Sequence, residues 1–296
     1  MKSFHRAVML KEVIWWLNIR EGGVYLDCTV GAGGHSRAIL DEMRGKVRII
    51  GIDRDEEALK IASQELKEYR KQTTLIKANF KELPQILKEE NVGLVNGIIY
   101  DLGLSSMQLD SQTRGFSFRW TAPLDMRMDS SQALTAAHLV GELSQKELED
   151  IFFELGEERW ARRIAKFIVE ERRQNPIKTT SNLLEVMRRA VPAKFRRGRR
   201  THFATRVFQA LRIKVNEELE NLRVSLSYSF DLLQKEGRVC VISYHSLEDR
   251  IVKQKFNEAK EEKLNILTKK VIRPSKKEVR INPRARSARL RVAERI

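Results

Sequence analysis

The 296-residue sequence has two cysteines and lacks any long uncharged apolar run, and both features narrow the class of protein. Cys28 and Cys240 lie inside predicted strands and form no spaced pair, so we expect reduced core thiols rather than a disulfide framework. No stretch approaches the roughly 18 apolar residues that would span a bilayer. Lys11 and Glu12 interrupt the apolar residues near the start, which argues against a signal peptide. The sequence therefore predicts a cytoplasmic protein without a membrane segment.

Two further patterns are missing from the sequence. No spacing of His, Cys and Asp residues is typical of a catalytic metal site, so we expect no metal cofactor. No internal repeat is visible either, which argues against a solenoid or propeller. A chain of this length has room for one large domain or two ordinary ones.

Basic residues are abundant and unevenly distributed. The net charge is +16, and the segment from Arg188 to Lys214 holds ten Lys and Arg residues and no acidic residue. The segment from Lys269 to Ile296 holds eleven basic residues against Glu278 and Glu294. A face that is merely solvated usually mixes charges of both signs, whereas concentrated positive charge is typical of proteins that bind a polyanion. We therefore expect a nucleic-acid partner.

Predicted strands and helices alternate through the first hundred residues. The predicted strands cover Val24–Val30, Val47–Asp53, Thr74–Ala78 and Gly97–Tyr100, with helices over His35–Met43 and Glu56–Lys71. Such alternation is typical of a parallel sheet with helices on both faces. The predicted fold class is therefore α/β.

The apolar period becomes helical after Gln108. Leu148, Ile151, Phe152 and Leu155 are spaced i, i+3, i+4 and i+7, and Ser144 with Glu147 predicts a capping box before them. A second stripe runs through Trp160, Ile164, Phe167 and Ile168, and apolar positions from Phe208 to Leu226 predict one long amphipathic helix.

Strand patterns return near the end of the chain. They cover Arg238–Tyr244, the vicinity of Lys269–Arg273, and Ala288–Ala293. The sequence thus predicts a discontinuous sheet domain over residues 1–108 and 206–296. An all-helical substrate-recognition domain is inserted over residues 109–205.

A glycine-rich turn follows the first predicted strand. It runs from Asp27 to Ser36, with glycines at 31, 33 and 34, and opens a helix. Glycines let a backbone approach a ligand, and a helix N-terminus offers unpaired N–H groups. Asp53 ends the next strand, where a carboxylate can accept hydrogen bonds from both hydroxyls of a ribose. Turn and acid together predict a nucleoside-containing cofactor.

The identity of this cofactor follows from two residues of the turn. A dinucleotide loop requires a third glycine where Ser36 stands. Asp27 would repel a pyrophosphate, whereas its carboxylate suits the ammonium of a methionyl group. The balance favours S-adenosylmethionine over NAD. Phe80, just past the third strand, is a candidate for stacking near adenine, with ordinary core packing as the alternative.

Motifs along nearly the whole chain resemble the bacterial 16S ribosomal RNA cytosine-N4 methyltransferase family, which modifies a cytidine in the decoding region of the small subunit. The matching stretches are His5–Glu12, Asp27–Ser36, Asp101–Asp110, Arg114–Phe118, Pro123–Asp129, Gly156–Glu158, Phe208–Ile213, Val215–Leu219, Val241–Asp249 and Arg286–Arg291. Each motif is short, but their joint order is specific. Ala7 and Phe203 depart from the pattern, because the family usually has proline at both positions.

The resemblance implies a class I, Rossmann-like methyltransferase sheet with an inserted helical domain. It also implies 16S rRNA as substrate, with the small ribosomal subunit as the expected form and free rRNA as the alternative. It leaves open whether the protein is a monomer or a homodimer. The S-adenosyl-L-methionine contacts that it implies are Gly33, Gly34, His35, Asp53, Phe80, Asp101 and Gln108.

Two residues are candidates for a catalytic role. Asp101 ends a strand at a place similar to the catalytic loop of amino-methyltransferases, so it either orients the cytosine amine or holds the amino end of the cofactor; we favour the second. His245 follows a late strand and is a candidate base, RNA contact or structural hydrogen-bonding group. Transfer from a sulfonium is an in-line displacement, so positioning should supply much of the rate.

A basic loop is the candidate RNA contact. Arg196, Arg197, Arg199 and Arg200 surround Gly198, a pattern suited to phosphate binding. Phe195 and Phe203 flank the loop, and each is predicted either to stack on an extruded base or to pack in the core.

Three rival interpretations remain at this point. The chain could be an amino-methyltransferase that acts on DNA or another RNA, a non-catalytic RNA-binding ribosome assembly factor, or an NAD-linked oxidoreductase. The glycine turn and Asp53 argue against the second, and Ser36 with the basic charge argues against the third.

Overall fold

The computed structural model describes residues 7–196 and 202–296. The chain divides into two compact units. The sheet unit comprises Met1–Ser105 and Leu219–Ile296, and the helical unit comprises Ser106–Glu218. None of the helices in the described part of the chain is long and apolar enough to cross a membrane.

The sheet unit contains a seven-stranded sheet in the order β3-β2-β1-β4-β5-β7-β6. Its strands are β1 (Val24–Asp27), β2 (Arg48–Asp53), β3 (Thr73–Lys77), β4 (Val95–Asp101), β5 (Leu233–Ser243), β6 (Leu264–Ile266) and β7 (Arg289–Arg295). The first five run parallel, and β7 is antiparallel to both β5 and β6. Parallel strands are buried on both faces and therefore apolar throughout, as in β2, where Ile49, Ile50 and Ile52 are fully buried.

The helices are numbered along the whole chain. Those of the sheet unit that precede the helical unit are α1 (Leu10–Leu17), α2 (Gly34–Glu42), α3 (Glu56–Glu65) and α4 (Leu83–Glu89). The helical unit holds α5 (Ser106–Asp110), α6 (Ala136–Glu142), α7 (Gln145–Glu154), α8 (Ala161–Arg172), α9 (Thr180–Ala190) and α10 (Thr205–Asn216). The sheet unit resumes with α11 (Glu218–Leu232, whose first residue still belongs to the helical unit), α12 (Ser246–Glu258) and α13 (Lys276–Ile281).

Side-chain caps explain where the helices of the helical unit begin. The predicted capping box before α7 is confirmed: Ser144 Oγ accepts from the Glu147 N–H, and the Glu147 carboxylate accepts from the Ser144 N–H at 2.8 Å. Thr135 and Thr179 cap α6 and α9 in the same way. The apolar stripes predicted for α7 and α8 supply their buried residues, including Leu148, Phe152 and Ile164.

The predicted long helix from Phe208 to Leu226 is wrong, because the structure divides it into α10 and α11. Glu217 lies between them with a left-handed φ of 50°. The buried Asn216 side chain accepts the Met128 N–H and donates to the Met126 carbonyl, both at 2.8 Å, so it holds the end of α10 in the helical unit. Apolar periodicity continues across the break and cannot reveal it.

The second boundary between the units lies further along the chain than expected. The sequence placed it at residue 206, whereas the helical unit extends to Glu218. The reason is that α10 packs against α6 and α7.

A further correction concerns the predicted strand near Lys269–Arg273. That stretch forms an isolated pairing of Ile272 with Leu290, and the edge strand is β6, a few residues earlier. The predicted helix over Glu56–Lys71 is also shorter, because α3 ends at Glu65 and a 3-10 helix follows over Lys67–Tyr69.

The strand order places the site. The strand order changes direction between β1 and β4: β2 and β3 are added on one side of β1, whereas β4 and β5 are added on the other. Ligands of open α/β sheets bind outside the carboxyl ends of the strands at such a switch point. Asp27, Asp53 and Asp101 are the last residues of β1, β2 and β4, so three carboxylates lie at this edge of the sheet unit.

Candidate active site

The turn between β1 and α2 forms the floor of the site. Gly31 and Gly33 have left-handed φ values of 51° and 87°, which a side chain disfavours. Gly33 is also the N-cap residue of α2, so N–H groups of the first helical turn lack helical partners. A Cβ at Gly34 would lie 3.1 Å from the Ala7 Cβ, which leaves little space there for a larger residue. The glycines thus allow a tight turn that packs closely against its neighbours and ends at the N-terminus of α2.

Asp27 is a structural residue of this turn. It is 1% exposed, accepts from Ser36 Oγ at 2.7 Å, and accepts from the Thr29 N–H at 3.3 Å. Burial raises the pKa of its carboxyl above the ordinary value. The expectation that Asp27 meets the ammonium of a methionyl group does not fit this geometry, because its oxygens face internal donors. Ser36, which replaces the dinucleotide glycine, supplies one of them.

Asp53 lies on the opposite side of the glycine turn. Its Oδ2 accepts from the Gly31 N–H and its Oδ1 from the Asp55 N–H, both at 2.9 Å. The carboxylate remains partly exposed, and each oxygen keeps capacity for a further donor. Burial raises the pKa of Asp53 to about 6. The geometry fits the predicted role, in which the two ribose hydroxyls donate to one anchored carboxylate.

Phe80 begins a 3-10 helix just past β3. Its ring meets the Tyr100 ring edge to face, with centroids 5.7 Å apart, and its carbonyl accepts from Ser225 Oγ at 2.9 Å. The ring is half-buried, so it is only partly committed to the core. Its predicted stacking on adenine remains a prediction.

Asp101 is a partly buried carboxylate at the switch point, with 19% of its side chain accessible. Its Oδ1 accepts from the Tyr244 hydroxyl at 2.7 Å, and its N–H donates to Thr29 Oγ1 at 2.6 Å. Burial raises the pKa of Asp101 to about 6. Burial, together with the charge of Asp101, raises the pKa of Tyr244 well above its ordinary value, so Tyr244 stays a donor. This carboxylate, rather than Asp27, is placed to meet a cationic group.

Thr29 and Tyr244 are site residues that the sequence analysis missed. Both lie inside matching motifs, but neither residue type by itself indicates a role in supporting Asp101. Only their contacts with Asp101 identify them.

His35 contributes to the site from inside the protein. The side chain is buried; its Nε2 lies 3.0 Å from the Val8 carbonyl oxygen, and its Nδ1 lies 3.7 Å from Asp101 Oδ2. A cofactor contact through the ring therefore does not fit, whereas the backbone of His35 lies in the first turn of α2. The side chain lies beside Asp101 and ties the segment around Val8 to the sheet.

His245 is the N-cap residue of α12. Its Nδ1 accepts from the Glu248 N–H at 3.3 Å, and its Nε2 lies 3.1 Å from Glu248 Oε1. Glu248 is 2% exposed and also accepts from the Tyr244 N–H at 2.8 Å. Of the alternatives left open by the sequence, these contacts favour structural hydrogen bonding. A role in proton transfer remains a prediction.

Gln108 lies in the other unit, in α5, and is buried there. Its cofactor contact remains a prediction. Among residues 7–196 and 202–296, no group of three or more His, Cys, Asp or Glu side chains is arranged to hold a metal ion.

The predicted RNA loop is described only at its first arginine. Arg196 ends the 3-10 helix over Ala193–Phe195, whereas Arg197, Arg199 and Arg200 lie outside the described residues. The Phe195 ring lies 4.4 Å from the Arg159 guanidinium and 5.4 Å from the Trp160 ring. It is half-buried, as is Phe203 beyond the loop, so neither ring is wholly committed to core packing. Cations and accessible aromatic surface therefore lie together in the helical unit.

These observations define the class of protein. A doubly wound sheet with a glycine turn, a ribose-type carboxylate at β2 and a second carboxylate at β4 is the arrangement of a class I, S-adenosylmethionine-dependent methyltransferase. A Cβ at Gly31 would have no neighbour closer than 3.8 Å, and Asp53 and Asp101 retain partly accessible acceptors.

Comparison with known proteins identifies the family. The model of the MraW methylase family matches residues 2–296. The ribosomal RNA small subunit methyltransferase H of Pseudothermotoga lettingae is 54% identical over 299 residues, with all of both chains covered. The proteins of the same name from Thermotoga neapolitana and Halothermothrix orenii are 50% and 46% identical; the alignments cover 98% and 99% of this chain and 96% and 98% of theirs. The chain therefore belongs to the MraW methylase family.

Family membership confirms several predictions made from the sequence. The resemblance, the α/β methyltransferase fold, the enzyme class, the S-adenosylmethionine cofactor and an rRNA substrate are all confirmed. The NAD-linked oxidoreductase and the non-catalytic assembly factor are thereby excluded. The individual site residues remain predictions.

Proposed function

We propose that this enzyme transfers a methyl group from S-adenosylmethionine to the N4 amine of a cytidine in the decoding region of 16S rRNA. The proposal is carried by the pair of accessible carboxylates, Asp53 and Asp101, on either side of the glycine turn at the switch point. The family and the names of its curated relatives support the rRNA substrate. The net charge of +16 suits a polyanionic one.

The cofactor is held by residues of the sheet unit in this proposal. Backbone groups at Gly33, Gly34 and His35 receive it at the N-terminus of α2. Asp53 accepts from the ribose hydroxyls, and Phe80 stacks on adenine. Asp101 binds the methionyl ammonium, because its Oδ2 is free of the bond from Tyr244 that occupies Oδ1. Gln108 is the remaining residue of the predicted set.

The main task of the protein in this reaction is to align the cytosine amine with the methyl group. The bound cofactor supplies an electrophilic methyl group on a positively charged sulfur. The cytosine amine is a weak nucleophile because its lone pair is delocalised into the ring, so the protein must hold it in line with the methyl group. Tyr244 and Thr29 hold Asp101 by hydrogen bonds, and Asp101 fixes the amino end of the cofactor. Once the methyl donor is held rigidly, the rate depends on how the target cytosine is placed.

The helical unit contacts the RNA in this proposal. Arg196, Arg197, Arg199 and Arg200 bind phosphates, and Phe195 or Phe203 stacks on a base extruded from its neighbours. The substrate is the 16S rRNA within the small ribosomal subunit, which places the enzyme in the cytoplasm.

Transfer of tritiated methyl groups tests the substrate. Purified enzyme should label small ribosomal subunits, and nuclease digestion should place the label in N4-methylcytidine. Free 16S rRNA and duplex DNA serve as comparison substrates. Stronger labelling of DNA, or label in a base other than cytosine, would overturn the assignment. Loss of N4-methylcytidine from the rRNA of a deletion strain is the matching result in cells.

A further inference from the structure

A basic segment leaves the sheet between β6 and β7. It begins near Lys269 and ends near Arg289, and it contains α13 and a 3-10 helix over Pro283–Ser287. Ile272 and Leu290 close its base through a reciprocal pair of backbone hydrogen bonds, each of 3.0 Å. The segment is thus an excursion from the sheet unit with a defined start and end.

Internal contacts hold this segment against the sheet unit. Ala285 and Ala288 are fully buried in the core cluster that includes Leu290. Ser275 caps α13 by accepting the Glu278 N–H at 3.1 Å, and the Glu278 carboxylate accepts the Met9 N–H at 2.6 Å. Side chains on the outer face are therefore presented from a fixed backbone, which lowers the entropy lost on binding.

The outer face of this segment is positively charged, and no carboxylate of the described residues neutralises it. Seven exposed cations form what we name the C-terminal basic surface: Lys269, Lys270, Arg273, Lys276, Lys277, Arg280 and Arg286. Within residues 7–196 and 202–296, none of the seven forms an ion pair with a carboxylate. Glu278, the only acidic residue in the sequence from Lys269 to Arg291, is turned to Met9.

Three exposed lysines elsewhere on the sheet unit are ion-paired. Lys46 lies 3.0 Å from Glu21, Lys60 lies 2.8 Å from Glu56, and Lys260 lies 3.0 Å from Glu261. A solvated face is typically laced with such pairs, whereas a phosphate-binding face keeps its cations available. Among the described residues, the seven cations therefore differ from these three lysines in lying close together in the sequence without a neutralising carboxylate.

Glu278 of α13 links the segment that carries the C-terminal basic surface to the active site. Glu278 binds Met9, the preceding Val8 carbonyl lies 3.0 Å from His35 Nε2, and His35 lies 3.7 Å from Asp101. The negative charge of Glu278 also contributes to raising the pKa of Tyr244, the residue that donates to Asp101. An RNA strand whose target base meets the cofactor beside Asp101 would thus have neighbouring phosphates on the side of the site to which α13 is linked.

We propose that the C-terminal basic surface binds the sugar-phosphate backbone of the rRNA strand next to the target cytidine. This inference rests on the proposed function, which supplies an RNA substrate at that site. The contacts are to phosphates and not to base edges, so they position the strand without reading its sequence. The surface acts in addition to the arginine loop and belongs to the sheet unit itself.

The triple variant K276Q/K277Q/R280Q tests this surface. Filter binding of an rRNA fragment at several salt concentrations should show a salt dependence that is shallower by up to about three, since each lost phosphate contact removes roughly one unit of slope. We expect the KM for RNA to rise about tenfold at moderate salt while kcat at saturating RNA is kept. Calorimetry should give an unchanged Kd for S-adenosylmethionine. The variant K276R/K277R/R280K, which retains the charges, should bind RNA normally.

The matched control is K46Q/K60Q/K260Q, which removes the same charge from ion-paired positions of the same unit. An unchanged salt slope in the first variant would overturn the proposal, as would an equal change in both variants, which would indicate net charge alone. Weakened binding to subunits with unchanged binding to free rRNA would indicate a protein contact and also overturn it. Binding needs no turnover, so failure of the proposed function would appear separately, as wild-type enzyme that binds rRNA without methylating it.

Discussion

Asp53 and Asp101 differ from surface aspartates because the sheet unit desolvates them. Burial raises the pKa of each to about 6, from an ordinary value of 3.8. A carboxyl with a raised pKa in the folded protein disfavours folding once it ionises, so stability of the ligand-free protein should fall as the pH rises from about 4 to about 6. A cofactor that donates to the ionised forms recovers this cost. Without the cofactor, the folded protein therefore favours the protonated forms of Asp53 and Asp101.

The pH dependence of cofactor binding follows from these two groups. The affinity for S-adenosylmethionine should rise as the pH increases from roughly 5 to roughly 7, by about tenfold for each carboxylate that must ionise. Calorimetry across this range measures the effect. An affinity that stays flat would show that neither carboxylate binds as an anion.

Replacement of Asp53 tests its predicted role. Asp53→Ala should weaken cofactor binding about 10- to 100-fold, because hydrogen bonds to a charged group contribute roughly 1.5–3 kcal/mol. Calorimetry checks the Kd, and Glu56→Gln is the control, because that carboxylate lies three residues on and is exposed. Equal affinities for the two variants would place the ribose elsewhere.

The position of His245 at the start of α12 bears on its role. The helix begins beside the site, and the ring of His245 caps it while facing the buried Glu248. Capping and catalysis make different demands, because a cap needs only an acceptor whereas a base must exchange a proton.

Two substitutions at His245 separate capping from catalysis. Asn is a strong N-cap residue, so His245→Asn should keep both Tm and kcat, while His245→Ala should lose about 1 kcal/mol of stability. Thermal unfolding and single-turnover methylation provide the two readouts. If His245→Asn folds normally but loses at least about 100-fold in kcat, the residue is a catalytic acid or base instead.

Positive charge is concentrated in two places in the chain as a whole. One is the arginine loop with its neighbours in the helical unit, and the other is the C-terminal basic surface of the sheet unit. Phosphate binding releases counterions, so both should contribute to the salt dependence of RNA affinity.

Neutralisation of the arginine loop tests the first concentration. Changing Arg196, Arg197, Arg199 and Arg200 to Gln should weaken rRNA binding and make its salt slope shallower by up to about four. The comparison variant neutralises four ion-paired lysines, Lys60, Lys146, Lys166 and Lys260, with the same loss of charge. If the loop variant and wild type show one and the same slope in filter binding, the RNA is held elsewhere.

Local features of the fold were predictable from the sequence. The alternation of apolar strands with helices, the cap at Ser144, and the acid that ends β2 each depend on residues within a few positions of one another. Such short-range patterns also carry the family resemblance, since the motifs are short and lie in a set order. Fold class, cofactor and enzyme class therefore followed from the sequence by itself.

Tertiary structure decided which of the candidate residues face a ligand. Asp27 and Asp101 both end strands of the same sheet, yet internal donors enclose the first and leave the second accessible. The break at Glu217 and the cap at His245 depend on partners at Met128 and Glu248 that periodicity does not reveal. Burial and hydrogen bonding are set by chain segments that are distant in sequence, and so only the folded chain distinguishes a ligand contact from a support.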